Sequence, residues 1–342
     1  MNLNNLFFSI YQRIIFLLEP EKAHSVSLYL AEIIYKSSMK RFLESKTMGS
    51  KCKVMGIDFK NSLGLAAGFD KNGDYLNFIS NIGFGFIEIG TITPNPQFGN
   101  PKPRVFRIKN ERGIINHLGF NNKGVKYLKS KLSSFERSCP IGINIGKNST
   151  TQIENSISDY EYCMKELYEY ADYITLNISS PNTEDLRLLH LSEYLEDFLQ
   201  KIKKIHEDLN KKYKKYVPLC IKVSPDLSTI ELEVFCRLLL DHGIDGIIAT
   251  NTTIQKNILQ DDKYHFYQGG LSGQPLFNKS NQKIEEIKSY VKDKIAIIGV
   301  GGITSPETAL DKINKGSDLL QLYSGLVYSG TGLIKDITKA LK

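Results

Sequence analysis

Leu219 to Thr250 reads LCIKVSPDLSTIELEVFCRLLLDHGIDGIIAT. Leu219–Val223 is an apolar run too short for a helix. Thr229–His242 then carries apolar residues at helical spacing, and Gly246–Thr250 is a second short apolar run. Runs apolar on both faces belong in a buried parallel sheet, where each strand reaches the next through a crossover helix. The segment is therefore one strand, helix, strand unit, and its repetition decides the fold.

The same unit recurs on both sides. Leu63–Ala67, Phe86–Gly90, Ile141–Ile145 and Tyr173–Ile178 precede it, and Ala296–Val300 and Leu319–Tyr323 follow, which makes eight strand-like runs. Helical patterns lie between them at Ile153–Tyr170, Leu186–Leu209, Asn278–Val291 and Pro306–Lys315. Eight units without a change of composition predict an α/β fold, a closed (β/α)8 TIM barrel, over an open doubly wound sheet. A chain of 342 residues suits one barrel of roughly 250 residues with additions.

The addition is N-terminal. Leu3, Leu6, Phe7, Ile10, Ile14 and Leu17 fall at helical spacing, and Phe8, Tyr11, Ile15 and Leu18 widen that stripe beyond one packed face. After Pro20, the residues Ala23, Val26, Leu30, Ile33 and Ile34 share a face of a second helix. The width favours a pair of amphipathic helices at a membrane surface over a plain cap on the core. Residues 1–40 are thus expected to form a helical membrane segment, residues 41–62 a linker with short strands at the barrel base, and residues 63–342 the barrel. Gln12, Arg13, Glu19 and Glu21 interrupt the apolar stretch, so no transmembrane span is expected. A basic leader with a small-residue cleavage site is missing as well, so no signal peptide is read.

The formal charge is +7, with scattered lysines. Nucleic-acid binders concentrate such charge on one element, so no nucleic-acid partner is expected. The densest run, Lys211–Lys215, reads as a solvated helix end. Five cysteines form no CxxC pair and the six histidines form no HxH or HExxH, so neither a disulfide framework nor a metal site is expected.

Barrel enzymes place their chemistry at the strand C-termini. Each run is followed there by special residues: Ala67-Gly68-Phe69-Asp70-Lys71, Gly90–Pro94, Asn144 and Gly146, Asn177–Thr183, Lys222–Pro225, Thr250–Thr253, Gly299–Ile303 and Tyr323–Gly325. Two segments read as loops, Asn116–Asn121 and Gly269–Gly273, add to them. Asn116, Asn144, Asn177, Asn182 and Asn251 offer uncharged donors and acceptors suited to a planar, amide-rich ligand. Gly301-Gly302 and the end of the eighth run form a phosphate cradle, because barrels bind phosphate after strands seven and eight. A phosphate-bearing redox cofactor fits this rim better than a metal or a nucleophilic serine in GxSxG.

Leu65–Lys71, Gly90–Pro94, Asn177–Asn182, Ala249–Thr253, Gly270–Gly273 and Ile298–Ile303 together resemble the dihydroorotate dehydrogenase family, from about residue 20 to the C-terminus. The resemblance implies oxidation of dihydroorotate to orotate with FMN in pyrimidine biosynthesis. Ser180 stands where soluble members carry Cys, and the helical extension is present. Both features imply the membrane-associated subclass, whose second substrate is a quinone, as a peripheral monomer or weak homodimer on the cytoplasmic face of the cell membrane. A soluble FMN barrel using fumarate or NAD is the alternative.

The resemblance also implies roles. Ser180 is the base. Lys71, Asn116, His117, Leu118, Gly119, Phe120, Asn177, Asn182, Asn251 and Thr252 hold the substrate. Ala67, Gly68, Phe69, Asp70, Lys71, Thr91, Asn144, Asn177, Lys222, Thr250, Gly273, Gly302, Tyr323 and Ser324 hold FMN. His24 and Arg107 line the quinone site. Two departures stand out. His117 replaces a usual Arg, which removes its side chain as an expected ligand contact. Glu184-Asp185 replaces a common Pro-Gly pair, and two carboxylates there oppose closure over an anion unless they point outward.

Overall fold

The computed structural model describes residues 3–38, 40 and 49–342, with side chains from residue 8 onward. The first part of the expected linker, residues 41–48, lies outside the described residues. Two helices open the chain, α1 (Leu3–Ile15) and α2 (Pro20–Lys36). Pro20 is the first helical residue of α2, and the Glu19 carboxylate caps it by accepting the backbone N–H groups of Glu21 and Lys22 at 3.2 and 3.0 Å.

β1 (Cys52–Val54) and β2 (Ile57–Phe59) pair antiparallel. Their two-residue turn, Met55-Gly56, has φ of 52° and 77°, as a tight hairpin requires. Barrel strands and their helices follow: β3 (Leu63–Leu65), α3 (Leu76–Ile79), β4 (Phe86–Ile92), β5 (Val105–Ile108), β6 (Gly113–Asn116), α4 (Val125–Ser133), β7 (Ile141–Ile145), α5 (Ser156–Leu167), β8 (Tyr173–Asn177), α6 (Ser192–Tyr213), β9 (Leu219–Val223), α7 (Thr229–Asp241), β10 (Gly246–Ala249), β11 (Gly270–Gly273), α8 (Phe277–Val291), β12 (Ala296–Val300), α9 (Pro306–Asn314), β13 (Leu319–Leu322), α10 (Ser324–Ser329) and α11 (Gly332–Ala340). Strands β3, β4, β7, β8, β9, β10, β12 and β13 close into a barrel of parallel neighbours. All eight expected runs are barrel strands. Lys211–Lys215 is the solvated end of α6, as expected.

One expectation is corrected. Gly269–Gly273 and the start of Asn116–Asn121 read as loops, but β5, β6 and β11 form a three-stranded antiparallel sheet, with Asn116 opposite Gly270 and Val105. The strands are four residues each, and β6 and β11 each begin with Gly and carry Asn, Ser or a second Gly, which hides them in the sequence.

The barrel interior changes character along its axis. Phe59, Phe86, Tyr173, Cys220, Ile298 and Leu319 pack its lower part. Gly64 and Gly142 leave room for two of these rings: a Cβ would meet Phe86 at 2.4 Å and Tyr173 at 2.1 Å. One layer higher the side chains are polar. Glu88, fully buried, accepts from Asn144 Nδ2 (2.8 Å), Tyr173 Oη (2.9 Å) and Gln321 Nε2 (2.7 Å). A buried carboxylate needs such donors. This polar layer is the floor of the site.

Candidate active site

A cavity of about 990 Å³ opens above that floor. Nearly every rim residue expected from the sequence lines it: Ala67, Gly68, Phe69, Asp70, Lys71, Thr91, Asn116, Leu118, Gly119, Phe120, Asn177, Ser180, Asn182, Lys222, Thr250, Asn251, Thr252, Gly273, Gly302, Tyr323 and Ser324, with His24 and Arg107 towards the helical extension. Asn144 and His117 are the two that do not. Asn144 is fully buried behind the wall, where its Oδ1 accepts from Thr91 Oγ1 at 2.5 Å and from Asn177 Nδ2 at 3.2 Å. His117 faces a shallower recess beside Pro103, Phe106 and Tyr267.

The cations are arranged for an anionic guest. Lys222 is buried, and neither Lys222 nor Lys71 has a hydrogen-bond or ion-pair partner among the described residues. Burial pulls Lys71 down to about 8, with Glu21 opposing, and lowers Lys222, with Glu88 opposing. Asp70, the adjacent carboxylate, is turned into its own loop. It accepts the backbone N–H groups of Asn72, Asp74 and Tyr75 at 3.3, 3.0 and 2.8 Å. Burial still raises it to about 6, the three N–H bonds opposing.

Ser180 follows β8 in a loop held from several sides. Its Oγ accepts the Asn182 N–H at 3.2 Å. Asn182 Nδ2 donates to the backbone O and Oδ1 of Asn116, each at 3.0 Å, so its Oδ1 faces His117, whose Nδ1–H donates at 3.2 Å. His117 thus positions Asn182. Asn251 Nδ2 donates to Ser179 Oγ at 2.9 Å. Thr183 Oγ1, three residues beyond Ser180, is buried with no partner. Glu184 and Asp185 point outward, both exposed, and Asp185 takes a left-handed φ of 56°. Their charges therefore do not oppose an anionic ligand.

Some residues of this site escaped the sequence reading. Arg187 braces the Ser180 loop: Nε donates to Ser179 O (3.2 Å), Nη2 to Thr252 O (3.1 Å) and Nη1 to Asp226 Oδ2 (3.0 Å). Asp226 also takes Lys279 Nζ at 2.6 Å. These partners come from four different loops and helices, so no spacing reveals them. Glu88 did leave a signal, a lone charge inside the apolar run Phe86–Gly90.

The outer end of the cavity lies between α1 and α2, among Phe8, Tyr11, Ile15, Phe16, Ala23, Leu28 and Ile34. The stripes inferred for these helices need revision. Ile10, Ile14, Leu17, Leu30 and Ile33 are exposed, while Ile15, Ala23 and Leu28 are buried. Arg107 makes no salt bridge among the described residues. It donates to the carbonyls of Phe16 and Leu18 and lies over the Phe16 ring, 4.4 Å from its centroid. His24 Nε2–H donates to Phe69 O at 2.7 Å, and its ring meets Phe69 edge to face. Burial pushes His24 down to about 4, with Lys71 adding to the effect. Arg104, also missed, binds Glu21 of α2 with two nitrogens at 3.0 and 2.8 Å and the carbonyls of Phe98 and Asn100 with the third.

Two glycines test whether a phosphate fits the far end. Gly301 and Gly302 have φ of 118° and 73° and line the cavity beside Ser272, Gly273 and Ser324. A Cβ on Gly302 would meet Phe277 at 2.5 Å, so no other residue fits this turn. Backbone free of side chains, lining a cavity in which Lys71 and Lys222 lack partners among the described residues, fits an anionic cofactor.

Residues 50–342 match the family model for dihydroorotate dehydrogenase. A protein of Buchnera aphidicola subsp. Schizaphis graminum named dihydroorotate dehydrogenase (quinone) is 48% identical over 337 residues, 98% of this chain and 100% of the relative. A protein of the same name from Neisseria meningitidis serogroup B is 44% identical over 98% of this chain and 99% of its own. Among solved structures, DHODH from Eimeria tenella in complex with ferulenol superposes with a TM-score of 0.85 at 33% identity, covering 94% of this chain and 90% of that one.

Proposed function

The chain belongs to the dihydroorotate dehydrogenase family, and we propose how its residues divide that family's work. The enzyme oxidises dihydroorotate to orotate and passes the electrons to a quinone, in pyrimidine biosynthesis. Fumarate and NAD, the alternative acceptors, have no support among relatives named for quinone over nearly the whole chain. The enzyme is flavin-dependent, and the flavin assigned here is FMN. Gly273, Gly302, Tyr323 and Ser324 would hold its phosphate, and Ala67, Gly68, Thr91 and Thr250 would hold its ring. When bound, the flavin accepts hydride from C6 of dihydroorotate.

The chain's own residues do the rest. Lys71 meets the substrate carboxylate as a compact charge. Asn116, Asn177, Asn182 and Asn251 hold the planar ring through neutral amides, with Thr252 and the Leu118-Gly119-Phe120 backbone closing round it. Ser180 Oγ takes the proton from C5. A serine hydroxyl is a weak base, so the proton passes on to the Thr183 hydroxyl or to water. Lys222 places positive charge where the reduced flavin gains negative charge. Asn144 supports this wall from behind by holding Thr91 and Asn177.

Residues 1–40 form the quinone-access and membrane segment, residues 41–62 join it to the barrel base, and residues 63–342 form the flavin barrel. Among the described residues no helix is long and apolar enough to cross a membrane. Ile10, Ile14, Leu17, Leu30 and Ile33 are exposed on the two helices and their connection, and Leu30 also lines the cavity, which supports shallow insertion at a membrane surface, assigned here to the cytoplasmic face of the cell membrane. His24 and Arg107 line the quinone path.

The observation that carries these assignments is the position of Ser180, on the wall of one cavity lined also by Lys71 and Lys222, which lack partners among the described residues, and by apolar side chains of α1 and α2. The test is spectroscopic. Anaerobic dihydroorotate bleaches the visible flavin band of the purified protein, and a quinone analogue restores it. Restoration by fumarate or NAD instead of quinone would overturn the acceptor assignment.

A further inference from the structure

Lys312, on α9, is fully buried, and its residue does not line the cavity. Its Nζ donates to Ser280 Oγ at 3.0 Å and to Asn281 Oδ1 at 2.6 Å. Ser280 Oγ donates in turn to Val300 O at 2.5 Å. Val300 ends β12, and Gly301-Gly302 follow directly. A Cβ on Gly301 would come within 3.0 Å of Ser280, and Phe277, which packs on Gly302, has its ring centroid 5.3 Å from the same ammonium. One cation therefore holds the first turn of α8, and the glycine turn rests on that turn.

Burying an ammonium is costly without a counter-charge. Lys312 makes no salt bridge among the described residues. The carboxylate nearest in the network, Asp311, is bonded to Asn281 Nδ2 at 2.7 Å, not to the lysine. The missing negative charge can be supplied from the other side of the turn. Burial pushes Lys312 down to about 7, with Asp311 opposing, so an anion at the turn favours its charged form.

We propose that Lys312 is a positioning residue for the phosphate of the flavin, fixing the Val300–Gly302 turn through Ser280 and supplying buried counter-charge to the anion bound there. The inference rests on the reading that this turn holds the cofactor phosphate. Neither Ser280 nor Lys312 lines the cavity, so their removal is expected to act through the glycine turn and not on the substrate.

Riboflavin, which lacks the phosphate, separates this role from general packing. Flavin-depleted full-length wild type, Lys312→Met and Ser280→Ala are titrated with FMN and with riboflavin, following flavin fluorescence. Lys312→Met is expected to weaken FMN roughly tenfold while riboflavin moves less than about twofold, a size set by one buried charge at intermediate range. Ser280→Ala is expected to show the same selectivity with a smaller loss. Equal weakening of both flavins, or no change in either, overturns the proposal and leaves Lys312 a packing residue. A wild type that binds FMN and riboflavin alike overturns the phosphate reading, and the proposal with it. If Lys312→Met does not fold, the FMN-to-riboflavin ratio of Ser280→Ala decides in the same way.

Discussion

The two ends of the cavity are built by opposite means. Round Ser180, groups from four barrel connections are locked by hydrogen bonds. Asn182 alone bonds to Ser180, Asn116, His117 and Asn100. Between α1 and α2 the described walls are mostly apolar, and the polar ties are few: Tyr11 Oη to Ser27 Oγ, Glu21 to Arg104, Gln12 to the carbonyls of Val327 and Tyr328, and Glu32 to Asn77 and the Phe78 N–H. A reaction that moves a proton and a hydride needs fixed donors at fixed places. A site for a long apolar molecule arriving from a membrane needs surface and room. The contrast implies that variants at one end change one half-reaction and spare the other.

The largest effect tests that separation directly. Ser180→Ala should slow flavin reduction by dihydroorotate by roughly 10²–10⁴-fold, the range for loss of a general base. Flavin content and reoxidation by a quinone analogue should stay near wild type. Stopped-flow measurement of each half-reaction checks this. Near-normal reduction would remove Ser180 as the base, and a matching fall in reoxidation would show that the two ends are coupled.

Glu21→Gln probes the other end. The Arg104 and Glu21 side chains are 7% and 16% exposed, so the variant leaves a largely buried guanidinium without its counter-charge, at a cost on the order of 3 kcal/mol. A thermal midpoint several degrees lower is expected, with quinone reduction slowed and dihydroorotate reduction of the flavin retained. Equal loss in both half-reactions would mean that α2 also shapes the substrate end.

Thr183→Ala should have a smaller effect, roughly tenfold on flavin reduction, because water can replace one hydroxyl in a relay. Its solvent isotope effect should differ from that of wild type. An unchanged rate and isotope effect would place the proton's exit elsewhere.

The eight strand runs and the rim residues after them were legible because burial on both faces writes itself as unbroken apolar sequence, and because a barrel puts strand C-termini on one rim. Arg187, Asp226 and Lys279 were not legible, since their partners meet only when four connections converge. Lys312 was hidden for another reason: within Pro306–Asn314 it looks like any solvated lysine of an amphipathic helix. Which faces of α1 and α2 meet the barrel was not legible, because both sides of these helices are apolar and periodicity alone cannot decide between them.

The smallest effect concerns His24, which stands where the two ends meet: its Nε2 bonds to Phe69 O, beside the residues proposed to hold the flavin, while its helix α2 belongs to the end proposed for the quinone. Burial holds its folded value at about 4 against 6.5. Between those values the unfolded chain binds the proton and the folded chain does not, so His24 lowers stability as pH falls from 6.5 towards 4. Asp70 acts in the opposite sense. Its folded value of about 6 exceeds 3.8, so acidification through that window restores stability and partly masks His24 in any single melting curve. The difference between wild type and His24→Gln cancels the Asp70 contribution. Wild type should therefore lose ground to the variant as pH falls from 6.5 to 4, and the gap should be flat from pH 7 to 8. A pH-independent gap would mean that His24 ionises normally and that its ring is solvated. The contrast between a locked polar end and an apolar end would then not extend to the residue that joins them.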